Sequence, residues 1–222
     1  MIGLNKELEQ RKDNPVKIGL IGCGQMGIDV VATTKMMTGV KICIVADIDE
    51  NRAKAAYDIG QIDGVLVKAT TAEQADQAVL DAKLVYTTDY RVVTDMKTID
   101  VLLESTGVPE IGARAAIRSA KNGRHLAMMN VETDITVGPI LNWYAKKCGV
   151  LYAMAAGDEP AACKELYDFA IACGFTIVAA GKGKNNPLDR YARPTNEKWA
   201  KEAARRGQIG RASCRERVCH RV

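Results

Sequence analysis

Gly22, Gly24 and Gly27 stand at Gly-x-Gly-x-x-Gly spacing, and each glycine has a separate task in a dinucleotide-binding turn. The first permits a tight turn, the second lets a pyrophosphate approach the backbone, and the third lets a helix pack closely on the strand before it. The phosphates would rest on the N-terminus of the following helix, over Gln25 and Met26, where free N–H groups and the macrodipole favour an anion. Asp47 lies twenty residues past Gly27, where such a fold keeps the acid that holds the adenosine ribose. A carboxylate about 5 Å from a 2′-phosphate repels it by roughly 3 kcal/mol per charge at an effective dielectric near 20, which favours NAD. Arg52, just over one helical turn further on, works the other way and leaves NADP open.

Nicotinamide chemistry takes its hydride from the cofactor, so the protein must orient a substrate carbon and move one proton. The chain has only two histidines, His125 and His220, which leaves Lys, Asp, Glu or Tyr to carry that proton. Lys182 and Lys184 in Gly181-Lys-Gly-Lys184 point to one side of an extended segment. They read as a proton carrier or as a solvated basic loop. Asp158 and Glu159 read as substrate-orienting acids or as an N-cap and an acidic first helical turn. No Cys-x-x-Cys pair occurs among the 7 cysteines, so no metal site is expected and the thiols read as reduced and mostly buried.

The elements that must position these residues follow an alternating pattern. Val16–Ile21 is apolar on both faces, as a buried parallel strand requires. Apolar residues at helical spacing follow the glycines, and 41–46 predicts a second strand ending at Asp47. Asp49 predicts the cap of a helix that Gly60 ends, and Thr71 the cap of a helix over 70–84. Residues 65–67 and 92–93 predict short β pieces in an excursion from the simple alternation. The alternation resumes with strands at 101–104, 125–129 and 151–155, and with helices from Pro109 to Gly123 and over about 137–147. Six alternating strands predict an α/β fold, a doubly wound parallel (Rossmann) sheet. Its ligands bind outside the carboxyl ends of the strands, at Gly22–Gly27, Asp47, Ser105–Thr106–Gly107, Asn130–Glu132 and Gly157–Glu159. From Gly157 a helix and a strand at 175–180 predict the start of a truncated α/β substrate domain. The expected division is 1–156 for dinucleotide binding, 157–208 for this second part, and 209–222 for a non-native tail.

Composition narrows the classes. At 47% apolar residues the 222-residue chain can build a sizeable core. The formal charge is +4, but in 209–222 four arginines against Glu216 alone give +3, leaving +1 for the rest. A nearly neutral body without a basic, aromatic-interleaved stripe argues against nucleic-acid binding. No apolar run has the length of a membrane span and no signal-peptide pattern opens the chain, so the cytoplasm is the default expectation. Residues 209–219 resemble a common short-read sequencing adapter translated in one frame, a genuine basic tail being the alternative.

Five stretches together resemble a family: Gly22–Gly27, Leu103-Glu-Ser-Thr-Gly-Val-Pro109, Met128-Met-Asn-Val-Glu132, Gly157-Asp-Glu-Pro160 and Gly181-Lys-Gly183. They look like the homoserine-dehydrogenase-like NAD(P)-dependent oxidoreductases. Within these they are similar to the branch that includes the second type of 1-deoxy-D-xylulose-5-phosphate reductoisomerase and relatives with a SAF-like domain. The resemblance covers about residues 15–190. It implies hydride transfer with a small polar hydroxy or keto compound, a nucleotide-binding domain followed by a mixed α/β substrate domain, and a homo-oligomer at full length. Where homoserine dehydrogenases resemble Ala-Asn-Lys, with a substrate-directed lysine, this chain reads Asn130-Val131-Glu132, so Glu132 joins the catalytic candidates. A non-catalytic NAD(H)-binding regulatory module is the alternative, and it would need no lysine at position 182.

Overall fold

The computed structural model describes residues 3–155, 159–180 and 201. The chain divides into two compact units, Met1–Ala155 and Ala156–Val222. In the first, α1 (Leu4–Glu9) precedes β1 (Val16–Ile21), α2 (Gln25–Thr34), β2 (Val40–Ala46) and α3 (Glu50–Ile59). Then come β3 (Leu66–Lys68), α4 (Ala72–Leu80), β4 (Leu84–Thr87) and α5 (Tyr90–Asp95). The unit closes with β5 (Val101–Glu104), α6 (Pro109–Lys121), β6 (His125–Met128), α7 (Val131–Lys147) and β7 (Tyr152–Met154).

All seven strands are parallel, in the order β3-β4-β2-β1-β5-β6-β7. The chain runs outward from β1 through β2, then returns to the other side of β1 with β5. The order therefore reverses between β1 and β5, and the crevice of such a sheet opens outside their carboxyl ends. Ile21 of β1 lies in register with Ala46 of β2 and with Glu104 of β5, so three loops start side by side. Successive strand residues serve opposite faces: Leu102 packs in the core with α4–α7, and Leu103 in the core with α2 and α3.

The caps explain where helices begin. Asp49 accepts the N–H of Asn51, and Thr71 accepts that of Gln74, so both act as predicted. Three local expectations are corrected. The helix predicted over 70–84 stops at Leu80; Ala82 takes a positive φ of 58°, and Leu84–Thr87 is a fully buried central strand. The β piece at 92–93 is instead part of α5, capped by Asp89. Its Val93 fills the space over Gly19, where a Cβ would lie 2.5 Å from Val93 Cγ1. The helix predicted from 137 starts six residues earlier, because Asn130 caps it by accepting the Thr133 N–H at 3.1 Å. Pro139 then lies inside α7.

In the second unit α8 spans Glu159–Ala172 and ends at Gly174, with φ of 82°. The strand expected at 175–180 is absent: these residues are irregular, and Val178 is 95% exposed. A strand needs a neighbouring ladder, and among the described residues none pairs with this segment. Also among the described residues, no helix is long and apolar enough to cross a membrane.

Candidate functional site

The glycine turn leaves β1 and enters α2 with a different constraint at each glycine. Gly22 has φ of 96°, and a Cβ there would strike the Ser105 carbonyl and the Thr106 nitrogen at 2.7–2.8 Å. Gly27 is closed as well, since its Cβ would stand 2.0 Å from the Gly22 carbonyl oxygen. Gly24 is the opposite case, with no atom within 4 Å of a Cβ and an ordinary φ of −73°. Two glycines thus serve backbone packing, while the middle one keeps open space over the turn. No side chain caps α2 and its first turn carries no acid, so the positive end of the helix faces that space unneutralised. Met26, in the first turn of α2, is 59% exposed.

Asp47 follows β2 and reaches the same turn. Its Oδ2 accepts the Cys23 N–H at 2.8 Å and its Oδ1 the Asp49 N–H at 2.9 Å. Each carboxylate oxygen has a further lone pair, so the acid can still accept from a ligand. Arg52 stays exposed and pairs with Asp49 at 3.7 Å. Cys23 is buried, and burial followed by the Asp47 charge pushes its thiol up to about 12. It is therefore a packing residue and not a nucleophile.

The end of β5 completes the crevice. Ser105 Oγ donates within reach of two carbonyls of the turn, Gly22 O at 2.8 Å and Ile21 O at 3.1 Å, and so staples the two loops together. Gly107 has φ of 67°. Asn130, 2% exposed, donates from Nδ2 to Thr106 Oγ1 at 3.4 Å and to the Val108 carbonyl at 3.3 Å. Glu104 Oε1 accepts the Thr106 N–H at 2.9 Å. Glu132, half-buried in the first turn of α7, adjoins Asn130.

The structure therefore brings together the three glycines, Gln25, Met26, Asp47, Ser105, Thr106, Gly107 and Asn130 at one end of one sheet. Arg52 lies beside Asp47 through Asp49. Lys182 and Asp158 lie outside the described residues, and of Glu159 the structure describes only that it begins α8. The sequence did not single out Glu104 or Thr133 as site residues. The visible signal was an acid closing the apolar strand Val101-Leu-Leu-Glu104. Among the described residues no group of three or more His, Cys, Asp or Glu could hold a metal ion.

Comparison with known proteins gives two kinds of likeness. Residues 157–214 match the family model described as oxidoreductase DRL, catalytic domain. No curated protein matches the chain. Among solved structures, the chain is similar to an oxidoreductase from Agrobacterium radiobacter in complex with NAD+, L-tartaric acid and magnesium. There the TM-score is 0.54 at 12% identity, over 72% of this chain and 41% of that one. It is also similar to a homoserine dehydrogenase from Thiobacillus denitrificans, with a TM-score of 0.50 at 20% identity over 72% and 34%. A scyllo-inositol dehydrogenase from Lactobacillus casei, with bound NAD(H) and scyllo-inositol, gives 0.50 at 13% identity over 71% and 42%. These likenesses establish the fold, and the chain spans less than half the length of each of the three structures.

Proposed function

We propose that the first unit binds a nicotinamide dinucleotide, and that the protein transfers a hydride between that cofactor and a small polar hydroxy or keto compound. The observation that carries this is the contrast among the three glycines, two closed by backbone and one open, above a helix end with no cap. Gly22, Gly24, Gln25, Met26 and Gly27 would hold the pyrophosphate through backbone N–H groups. Asp47 would hold the adenosine ribose, and Ser105, Thr106, Gly107 and Asn130 would line the nicotinamide end. When bound, the cofactor supplies or accepts the hydride. The match of residues 157–214 to an oxidoreductase catalytic domain supports an enzyme over a regulatory module.

NAD is the preferred cofactor in this reading. Asp47 is fixed by two backbone N–H groups, so its charge cannot swing away from a 2′-phosphate, and Arg52 is already paired with Asp49. The branch related to the second-type reductoisomerase remains the finer reading, with Lys182 as proton carrier, Asp158 and Glu159 orienting the substrate, and Glu132 as the alternative proton carrier. The test is a fluorescence titration of the protein with NADH and NADPH, followed by a screen of small hydroxy acids and sugar phosphates for hydride transfer. Saturable NADH binding supports the reading, and failure to bind either dinucleotide refutes it.

A further inference from the structure

Glu104 is the last residue of β5, in register with Ile21 and Met128 on its two sides. It is 1% exposed, deeper than a charged side chain normally goes without a partner. Oε1 accepts the Thr106 N–H at 2.9 Å, whereas Oε2 has no hydrogen-bond partner among the described residues. Gly112 of α6 gives Oε2 its place. A Cβ there would lie 2.9 Å from Oε2, 2.2 Å from Thr133 Oγ1 and 3.0 Å from Asn130 Nδ2. Thr106 is therefore held from two sides, its N–H by Glu104 and its Oγ1 by Asn130. The same Thr106 nitrogen is one of the atoms that a Cβ at Gly22 would strike. A continuous line of contacts runs from Glu104 through Thr106 to the glycine turn.

We propose that Glu104 is a positioning residue of the dinucleotide site: a buried acid that holds the Thr106 peptide against the glycine turn and whose site disfavours a negative charge behind the phosphates. The proposal rests on the dinucleotide reading above. An ionised carboxylate with one oxygen unpartnered would carry most of its desolvation penalty uncompensated. The titratable groups that act on it are Glu132 on α7 and Tyr152 on β7, and neither is cationic. Ile21, Met128 and Gly112, which flank it on β1, β6 and α6, carry no charge. Burial raises the Glu104 carboxyl above its usual range, and hydrogen bonding from Thr106 and Asn130 only partly offsets this. The neutral acid still offers a carbonyl oxygen to the Thr106 N–H and carries its proton on the other oxygen.

The sign of the pH effect follows. An unfolded glutamate ionises near 4.5, and the folded one ionises at higher pH. The stability contributed by the neutral form is fully present below 4.5 and is lost as pH rises through the folded value. A glutamine keeps the shape and cannot ionise. Three measurements on the full chain test the proposal. The melting temperature of Glu104→Gln minus that of the wild type should rise by about 3 °C or more between pH 5 and pH 7. The infrared band of a buried protonated carboxyl should persist in the wild type at pH values above 4.5, where an ordinary glutamate ionises, and be absent from Glu104→Gln. NADH affinity at pH 7 should stay within about twofold of wild type in Glu104→Gln, and should fall about tenfold or more in Glu104→Leu, which offers Thr106 no acceptor.

A flat melting difference with no protonated-carboxyl band overturns the neutral acid. A folded Glu104→Gln that loses NADH affinity overturns it too, because the charge would then be the working feature. If Glu104→Leu does not fold, the glutamine variant decides. If the wild type binds neither NADH nor NADPH, the positioning role falls with the dinucleotide reading, whatever the melting curves show. If it binds NADH and only the Glu104 results fail, the dinucleotide reading stands and the proposal alone is overturned.

Discussion

Asp47 Oδ2 accepts the backbone N–H of Cys23 at 2.8 Å, which ties the acid after β2 to the glycine turn after β1. The pyrophosphate and the adenosine ribose of a bound dinucleotide would thus be gripped by groups that hold each other. Removing the carboxylate should do two things at once: free the Cys23 peptide and remove the charge that disfavours a 2′-phosphate. The repulsion is at most about 3 kcal/mol, so the wild type should prefer NADH to NADPH. Asp47→Ala should weaken NADH and erase most of that preference. Equal dissociation constants for the two in the wild type, unchanged in Asp47→Ala, would sink the argument.

Gly27 should behave as a fold residue. Its missing Cβ would lie 2.0 Å from the Gly22 carbonyl oxygen, and backbone cannot step aside as a flexible side-chain end can. Gly27→Ala should cost about 1–3 kcal/mol of stability and lower the melting temperature, with cofactor affinity falling as a consequence. An unchanged melting temperature would show that α2 does not pack on the turn as described.

Cys23 should be chemically silent. Its thiol is pushed up to about 12 by burial and by Asp47. The raised value means that its contribution to stability is present below the unfolded thiol value near 9 and is lost as pH rises towards 12. At pH 8 a maleimide should label exposed Cys173 quickly and Cys23 only on unfolding. Peptide mapping of the labelled protein reads this directly, and early labelling of Cys23 contradicts it.

What the sequence shows and hides follows from how local each signal is. The glycine turn, Asp47, β1, β2 and the β5–α6–β6 run were legible, since apolar runs, caps and glycine stops agree there. The β4–α5 segment was not. Leu84–Thr87 is four residues long and buried throughout, so it has no alternation to read, and α5 has only six residues. The apolar spacing places the start of α7 near 137; the true start depends on Asn130 closing a cap. Of the site, residue types were readable and tertiary partners were not. Nothing local says that Asp47 binds the Cys23 N–H, or that Glu104 Oε2 finds no partner among the described residues.

Lys182 carries the catalytic part of the proposal. In a protein with demonstrated turnover, Lys182→Met should abolish hydride transfer while NAD(H) binding changes little, because the dinucleotide residues all belong to the first unit. Steady-state rates with parallel NADH titration separate the two effects. Wild-type rates in the variant would move the proton-carrying role to Glu132 or Asp158.

The central claim is that a dinucleotide lies over the open middle glycine of the turn. The most direct measurement is an NADH titration of the wild type beside Gly24→Val, with melting curves on both. A Cβ at Gly24 meets nothing within 4 Å, so the variant should fold and melt like the wild type. Its added side chain would occupy the space required by the pyrophosphate, so NADH affinity should fall about a hundredfold or more, the scale of several lost charge-assisted hydrogen bonds. Unchanged NADH affinity in a normally folded Gly24→Val protein would contradict the account.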